Sequence, residues 1–164
     1  MSVNKHLPHV FILPEDDANV QLANGFQLDL ALDTRRIQIL EEAGGWTEVL
    51  AIFQSEHIPA MNRYSKRFMV LLVDFDHRED RLGEITATIP NHLRERVFVL
   101  GVWSQPEELR RSLHSGYESI GLSMAKDCRE NSEKIWAHAL LRHNAGELTR
   151  LRERVRPILF PQAA

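Results

Sequence analysis

The stretch Phe68–His77, FMVLLVDFDH, decides how the chain is read: an apolar run from Phe68 to Val73 ends abruptly in two aspartates, Asp74 and Asp76. A continuous apolar run of this length, rich in β-branched residues and closed by charge, predicts a strand buried on both faces in a parallel sheet. In open α/β sheets ligands bind outside the carboxyl ends of the strands, which places both aspartates at the mouth of a site. Side chains alternate along a strand, so carboxylates two positions apart face the same way and are expected to meet one cation. Two hard oxygen ligands suit Mg²⁺ or Mn²⁺ better than zinc. An aspartate pair after a strand also serves as a turn or a helix cap, so the metal reading needs a third carboxylate from elsewhere.

Three more runs resemble the first. HVFIL, residues 9 to 13, ends in Pro14, Glu15, Asp16 and Asp17 before a predicted helix from Ala18 to Leu30. Asp16 and Asp17 suit a helix cap and first turn, whereas Glu15, directly after the proline, is placed to face the same cleft as Asp74. RIQIL, residues 36 to 40, is followed by Gly44 and Gly45, and Thr47 is the expected cap of a helix reaching about Tyr64. RVFVLGV, residues 96 to 102, is the fourth strand; Ser104, with Pro106 behind it, is the expected start of the next helix. Between the third and fourth strands, Leu82 to Ile89 reads as helical. Four strands separated by helices predict an α/β fold with a parallel four-stranded sheet flanked by helices, joined by right-handed crossovers.

From His114 onward only helix is expected. Asp127 to Arg156 carries apolar residues at helical spacing, with a break expected near Asn144 to Gly146. Arg150, Arg152, Arg154 and Arg156 spread around such a helix and do not make one basic stripe. His138 and His143 are five apart, which misses the spacing that puts two ligands on one helical face. Trp136 reads as a core anchor.

Composition narrows the classes. The chain has 164 residues, 43% hydrophobic and 26% charged, which fits one globular domain with a sizeable core. A formal net charge of -3 argues against holding nucleic acid through bulk positive charge. Cys128, the single cysteine, excludes an internal disulfide and is consistent with a reducing compartment. No apolar segment approaches the ~20 residues of a membrane span, and the opening MSVNKHLPHV lacks the apolar core of a signal peptide. A cytoplasmic chain making no membrane contact is expected.

The order of these features resembles the Toprim domain, the topoisomerase/primase fold, over about Pro8 to Arg111, with the helical tail from 112 to 164 outside it but packed on the same domain. FILPEDDANVQLANGF supplies Glu15 in the place of the family's first glutamate, and VLLVDFDHRED supplies Asp74 and Asp76 in the place of its aspartate pair. Pro14 stands where many members have glycine. The chain has neither a strand-passage nor a priming module, so it looks like a small stand-alone form, closer to the Toprim nuclease modules of overcoming-lysogenization-defect-type proteins, which work beside an ATPase.

The resemblance implies a metal-dependent nuclease using Mg²⁺ or Mn²⁺, with Glu15, Asp74 and Asp76 as catalytic residues and metal ligands. DNA is favoured over RNA, with an ATPase as partner protein. Asp80 ranks first, with Glu79, for a further metal position, and Lys66, Arg67 and Arg78 are the phosphate-contact candidates. The alternative is a non-catalytic Toprim-like interaction subunit whose helical tail docks a partner or a second copy in a homodimer. A haloacid-dehalogenase-type phosphatase ranks last, because Arg78 stands where that motif carries threonine or valine.

Overall fold

Each of the four apolar runs forms a strand in the computed structural model, which describes residues 2–163. They are β1 (His9–Pro14), β2 (Ile37–Ile39), β3 (Arg67–Leu72) and β4 (Val97–Leu100), all parallel, in the order β2-β1-β3-β4. β1 pairs with β3 from His9 opposite Arg67 to Pro14 opposite Leu72, so the two strands end level. The chain steps from β1 outward to β2, then returns to build β3 and β4 on the other side. The crevice between the ends of β1 and β3 is therefore the topological switch point of the sheet.

Alternation along the strands divides the core into two layers. Val10, Ile12, Val70, Phe98 and Leu100 face one side, where they meet α1 (Asp17–Phe26), α6 (Tyr117–Glu130), α7 (Ala145–Arg154) and α8 (Arg156–Leu159). Phe11, Leu13, Met69, Leu71 and Val99 face the other. There they meet a helical rod made of α2 (Trp46–Ile52), a π-type turn (Phe53–His57) and α3 (Ile58–Arg63), together with α4 (Arg81–Thr86). The widened turn falls just before Pro59, which lacks an N–H and crowds the carbonyl four residues back; Ile58 N donates to Phe53 O instead, five residues back. On the first side, α1 and α6 cross closely at Gly25 and Gly121. A Cβ on Gly121 would lie 2.0 Å from the Leu22 carbonyl oxygen, and one on Gly25 2.1 Å from that of Glu118. The same layer holds a cavity of about 70 Å³ with an apolar lining that includes Val10, Val70, Leu100, Met124, Cys128 and Leu151.

Several boundaries differ from the sequence-based expectation, each for a local reason. α1 stops at Phe26, not Leu30, because the chain turns there to enter a 3-10 turn (Thr34–Arg36) capped by Asp33. The rod over residues 46 to 63 is capped by Gly45, with Thr47 inside its first turn. α4 ends at Thr86, short of Ile89. The helix α5 (Pro106–Leu113) has Gln105 at its cap position, while Ser104 is buried with no partner for its hydroxyl. In the tail the helical pattern breaks over residues 131 to 141, and Gly146 lies inside α7. Asn131 ends α6 in the left-handed conformation. The Asp127 carboxylate then accepts from Ser132 Oγ (2.6 Å), Ile135 N (2.7 Å) and Trp136 N (3.3 Å), organising the turn that follows. Trp136 is buried and donates Nε1–H to Met124 O.

The tail also closes the outer edge of β4. Val99 N donates to Glu147 Oε1 (3.3 Å), and Gly101 N donates to Asn144 Oδ1 (3.1 Å) while Asn144 Nδ2 donates to Gly101 O (2.9 Å). Arg94 donates to Val97 O, and Trp103 N to Leu140 O. Asn144 and Glu147, three apart at the start of α7, thus occupy the positions of a next strand. The tail arginines are committed to the fold: Arg150 pairs with Glu147, Arg154 with Glu95, and Arg152 and Arg156 donate to backbone carbonyls of Ser132 and of Cys128 and Arg129. Among the described residues no helix is long and apolar enough to cross a membrane.

Candidate functional site

The ends of β1 and β3 bring Glu15 and Asp74 into direct contact. Glu15 N donates to Leu72 O, continuing the β1–β3 ladder by one step, and Asp74 N donates to Glu15 Oε2 at 2.6 Å. The glutamate side chain takes the place of the next strand carbonyl, which fixes it beside the aspartate. Behind Glu15 the glycine turn packs against the strand end: Ala43 N donates to Pro14 O and Gly44 N to Glu15 O. Gly44 and Gly45 have φ of 98° and 153°, a region that side chains disfavour, so both glycines are needed for this close approach.

Asp74 is buried. Its Oδ1 accepts from Asn19 Nδ2 at 3.0 Å, and the same amide donates to Asp16 Oδ1, the cap of α1. Burial pushes the Asp74 carboxyl up to about 8; the Asn19 bond opposes this, and the nearby charges of Glu15, Asp16 and Asp76 add to it. Burial raises Glu15 as well, opposed by the Asp74 N–H and by Arg81 and reinforced by Asp16 and Asp76. Four acidic residues therefore share one electrostatic neighbourhood, and Asp74 is largely protonated at neutral pH.

Asp76 follows a different path from that expected. Phe75 N still bonds to Val102 O, but Asp76 and His77 both adopt left-handed φ, 50° and 57°, and the chain turns away from the sheet. Strand alternation therefore stops before Asp76, which is exposed and meets Arg81 instead. Consecutive left-handed residues without glycine cost energy and cluster at functional sites.

Arg81, one more charge in a polar loop of the sequence, takes a central place in the site. Its side chain is 4% exposed, donates from one terminal nitrogen to Asp74 O (2.9 Å) and Asp76 Oδ2 (3.2 Å), and lies over the Trp46 ring at 4.1 Å. It supplies a fixed positive charge inside the acidic cluster. Asn19 was missed. Its signal was a lone polar residue on the Ala18, Leu22, Ala23 face of α1, and it is fully buried with its Oδ1 unpartnered.

The remaining candidates lie apart. Asp80 and Arg78 pair on the surface (2.8 Å), with Arg78 also reaching Glu84, and Glu79 is exposed. Lys66 and Arg67 stand at the opposite end of β3, roughly 25 Å from Asp74 at about 3.3 Å per strand residue. There Arg67 is buried, donates to His9 Nε2 and stacks on Phe11.

Among the described residues no three His, Cys, Asp or Glu side chains are arranged to hold a metal ion. Mg²⁺ is commonly bound through only one or two carboxylates, with water and phosphate completing its shell. The Glu15–Asp74 pair fits that requirement in donor chemistry and in its surplus of like charge, while Asp76 is engaged by Arg81. Comparison of the chain with protein-family models, with curated proteins and with solved structures found no match.

Proposed function

We propose that the chain is a cytoplasmic Mg²⁺-dependent nuclease, or a closely related phosphoryl-transfer protein, that acts on nucleic-acid phosphodiesters, DNA before RNA, beside a partner ATPase. The observation that carries this reading is the Glu15–Asp74 contact at the β1/β3 switch point, where burial and like charge hold Asp74 near 8. It agrees with the resemblance to stand-alone Toprim nuclease modules.

In this reading Glu15 and Asp74 hold the ion, with Asp76 beside them. A bound divalent ion would supply charge compensation and an activated water for phosphodiester hydrolysis. Asn19 and Asp16 orient the Asp74 carboxylate, and Arg81 anchors the turn that carries it. Because Asp74 carries a proton at neutral pH, loading the ion releases that proton, and affinity rises with pH up to about 8.

The test is calorimetric titration with Mg²⁺ and Mn²⁺ at pH 6.5 and 8.5 in buffers of different ionisation enthalpy, beside cleavage of supercoiled plasmid and of labelled single-stranded DNA and RNA. The expected result is proton-linked binding, tighter at pH 8.5, and metal-dependent cleavage reduced at least about a hundred-fold by Asp74→Asn and by Glu15→Gln. Cleavage unchanged in both variants would remove the site.

One observation favours the second reading, a non-catalytic interaction subunit. The buried Arg81 already compensates part of the acidic cluster without an ion. Absence of ion binding to the wild type, with Asp74→Asn folded and no less stable, is the result that reading expects.

A further inference from the structure

The two edges of the sheet are treated differently by the fold. Along β4 the outward backbone groups of Val97, Val99, Gly101 and Trp103 are taken up by Arg94, Glu147, Asn144 and the Leu140 carbonyl. Along β2 nothing comparable happens. Leu40 N donates to Ile12 O, and the register sets Ile12 opposite Ile39 and Val10 opposite Ile37. In a parallel ladder this turns the N–H and C=O of Ile37 and Ile39 away from β1. Among the described residues no hydrogen bond reaches them.

A groove of about 820 Å³ runs along this free edge, between β2 and α1. Its lining includes the apolar groups of Val20, Leu28 and Ile37 and the acids Asp17, Glu41 and Glu42, and no lysine, arginine or histidine. The two arginines just before β2 are turned to other partners, Arg35 to Asp33 and Arg36 to Asp33 and the Pro8 carbonyl. Leu28 is 54% exposed, a large apolar side chain left uncovered beside unpaired backbone. Unpaired strand edges recruit extended segments through main-chain bonds, with side chains on alternate positions giving selectivity.

We propose that the free edge of β2 is a docking site for an extended, basic segment of a partner protein, which adds to the sheet as a fifth strand. Alternating apolar and basic residues would cover the apolar floor and meet the three acids. A second copy would pair antiparallel about a two-fold axis and set Glu41 and Glu42 opposite Thr34–Arg36. The arginines there are already held by Asp33 and the Pro8 carbonyl, whereas a basic partner segment brings cations not already paired. The surface stands whether or not Glu15 and Asp74 hold an ion.

The probe is a fluorescein-labelled peptide of alternating lysine and valine, seven residues long, with the glutamate–valine counterpart as control, followed by fluorescence anisotropy. Ile39→Pro removes an outward donor while sparing the bonds to β1, and the double change Glu41→Lys with Glu42→Lys alters only exposed side chains. The wild type is expected to bind the lysine peptide, less tightly as salt rises, and not the glutamate peptide. Ile39→Pro should weaken binding about ten-fold or more, and the double variant should exchange the preference. Circular dichroism melts establish that each variant is folded; should Ile39→Pro not fold, the double variant decides. No binding of the lysine peptide, equal binding of both peptides, or affinity untouched by these changes would overturn the proposal. Sedimentation showing a wild-type dimer that the double variant dissolves would overturn it in favour of a second copy.

Discussion

Asp74 and His143 are both shielded titratable groups, and they load the fold in opposite directions. For Asp74 the folded-state value, about 8, lies above the ordinary 3.8, so its contribution is fully present below pH 3.8 and is lost as pH rises through 8. Asp74→Asn should therefore raise Tm at pH 8.5 by about 2–4 °C and change it little at pH 4, a difference that thermal melts read directly. His143 packs against Phe75 (4.7 Å) and Trp103 (5.1 Å), with both ring nitrogens shielded from solvent and the Gly101 backbone beside the ring. Burial lowers it from 6.5 to about 4, so its contribution is present above pH 6.5 and is lost as pH falls through 4. His143→Phe should make the protein relatively more stable at pH 4.5 than at pH 7, measured as the variant-minus-wild-type difference in denaturation midpoint. At this scale the sequence revealed the carboxylates but not their fixtures. Glu15 and Asp74 each close an apolar run, a local signal. Asn19 and Arg81 act through contacts across 55 and 7 positions of chain, and their types alone do not announce them.

Strands were legible because each is an apolar run bounded by charge or glycine, and the Asp16 cap followed from acids just before a helical pattern. The breaks in the tail were not. Asp127 stood only as the boundary of a helical stretch, yet its carboxylate gathers donors from Ser132, Ile135 and Trp136 and thereby ends one helix and shapes the next turn. Gly25 and Gly121 carry no signal of their own in the sequence, yet they are where α1 and α6 touch. Gly121→Ala would put a methyl group 2.0 Å from the Leu22 carbonyl oxygen, against backbone on both sides. The helices must then separate, and urea unfolding should show a loss of about 3 kcal/mol. A loss near zero would mean that α6 slides freely on α1.

Across the whole molecule, the sheet separates two layers of unequal density. Both layers hold side chains with no exposed surface, such as Phe53 and Met61 beneath α2, α3 and α4 and Phe98 and Leu109 on the other side, but the apolar void lies in the layer beneath α1, α6 and α7. Helical spacing was legible in the tail, but not the fit of the helices to the sheet, since packing density depends on how side chains from distant segments interlock. The void has a mechanical consequence. Unfolding lets water occupy space that the folded chain leaves empty, so the unfolded state has the smaller volume and compression favours it. Under hydrostatic pressure, methyl resonances of Met124 and Leu151 should shift and broaden before those of Met61 and Leu93. The sheet would then behave as a stiff plate with one compressible side.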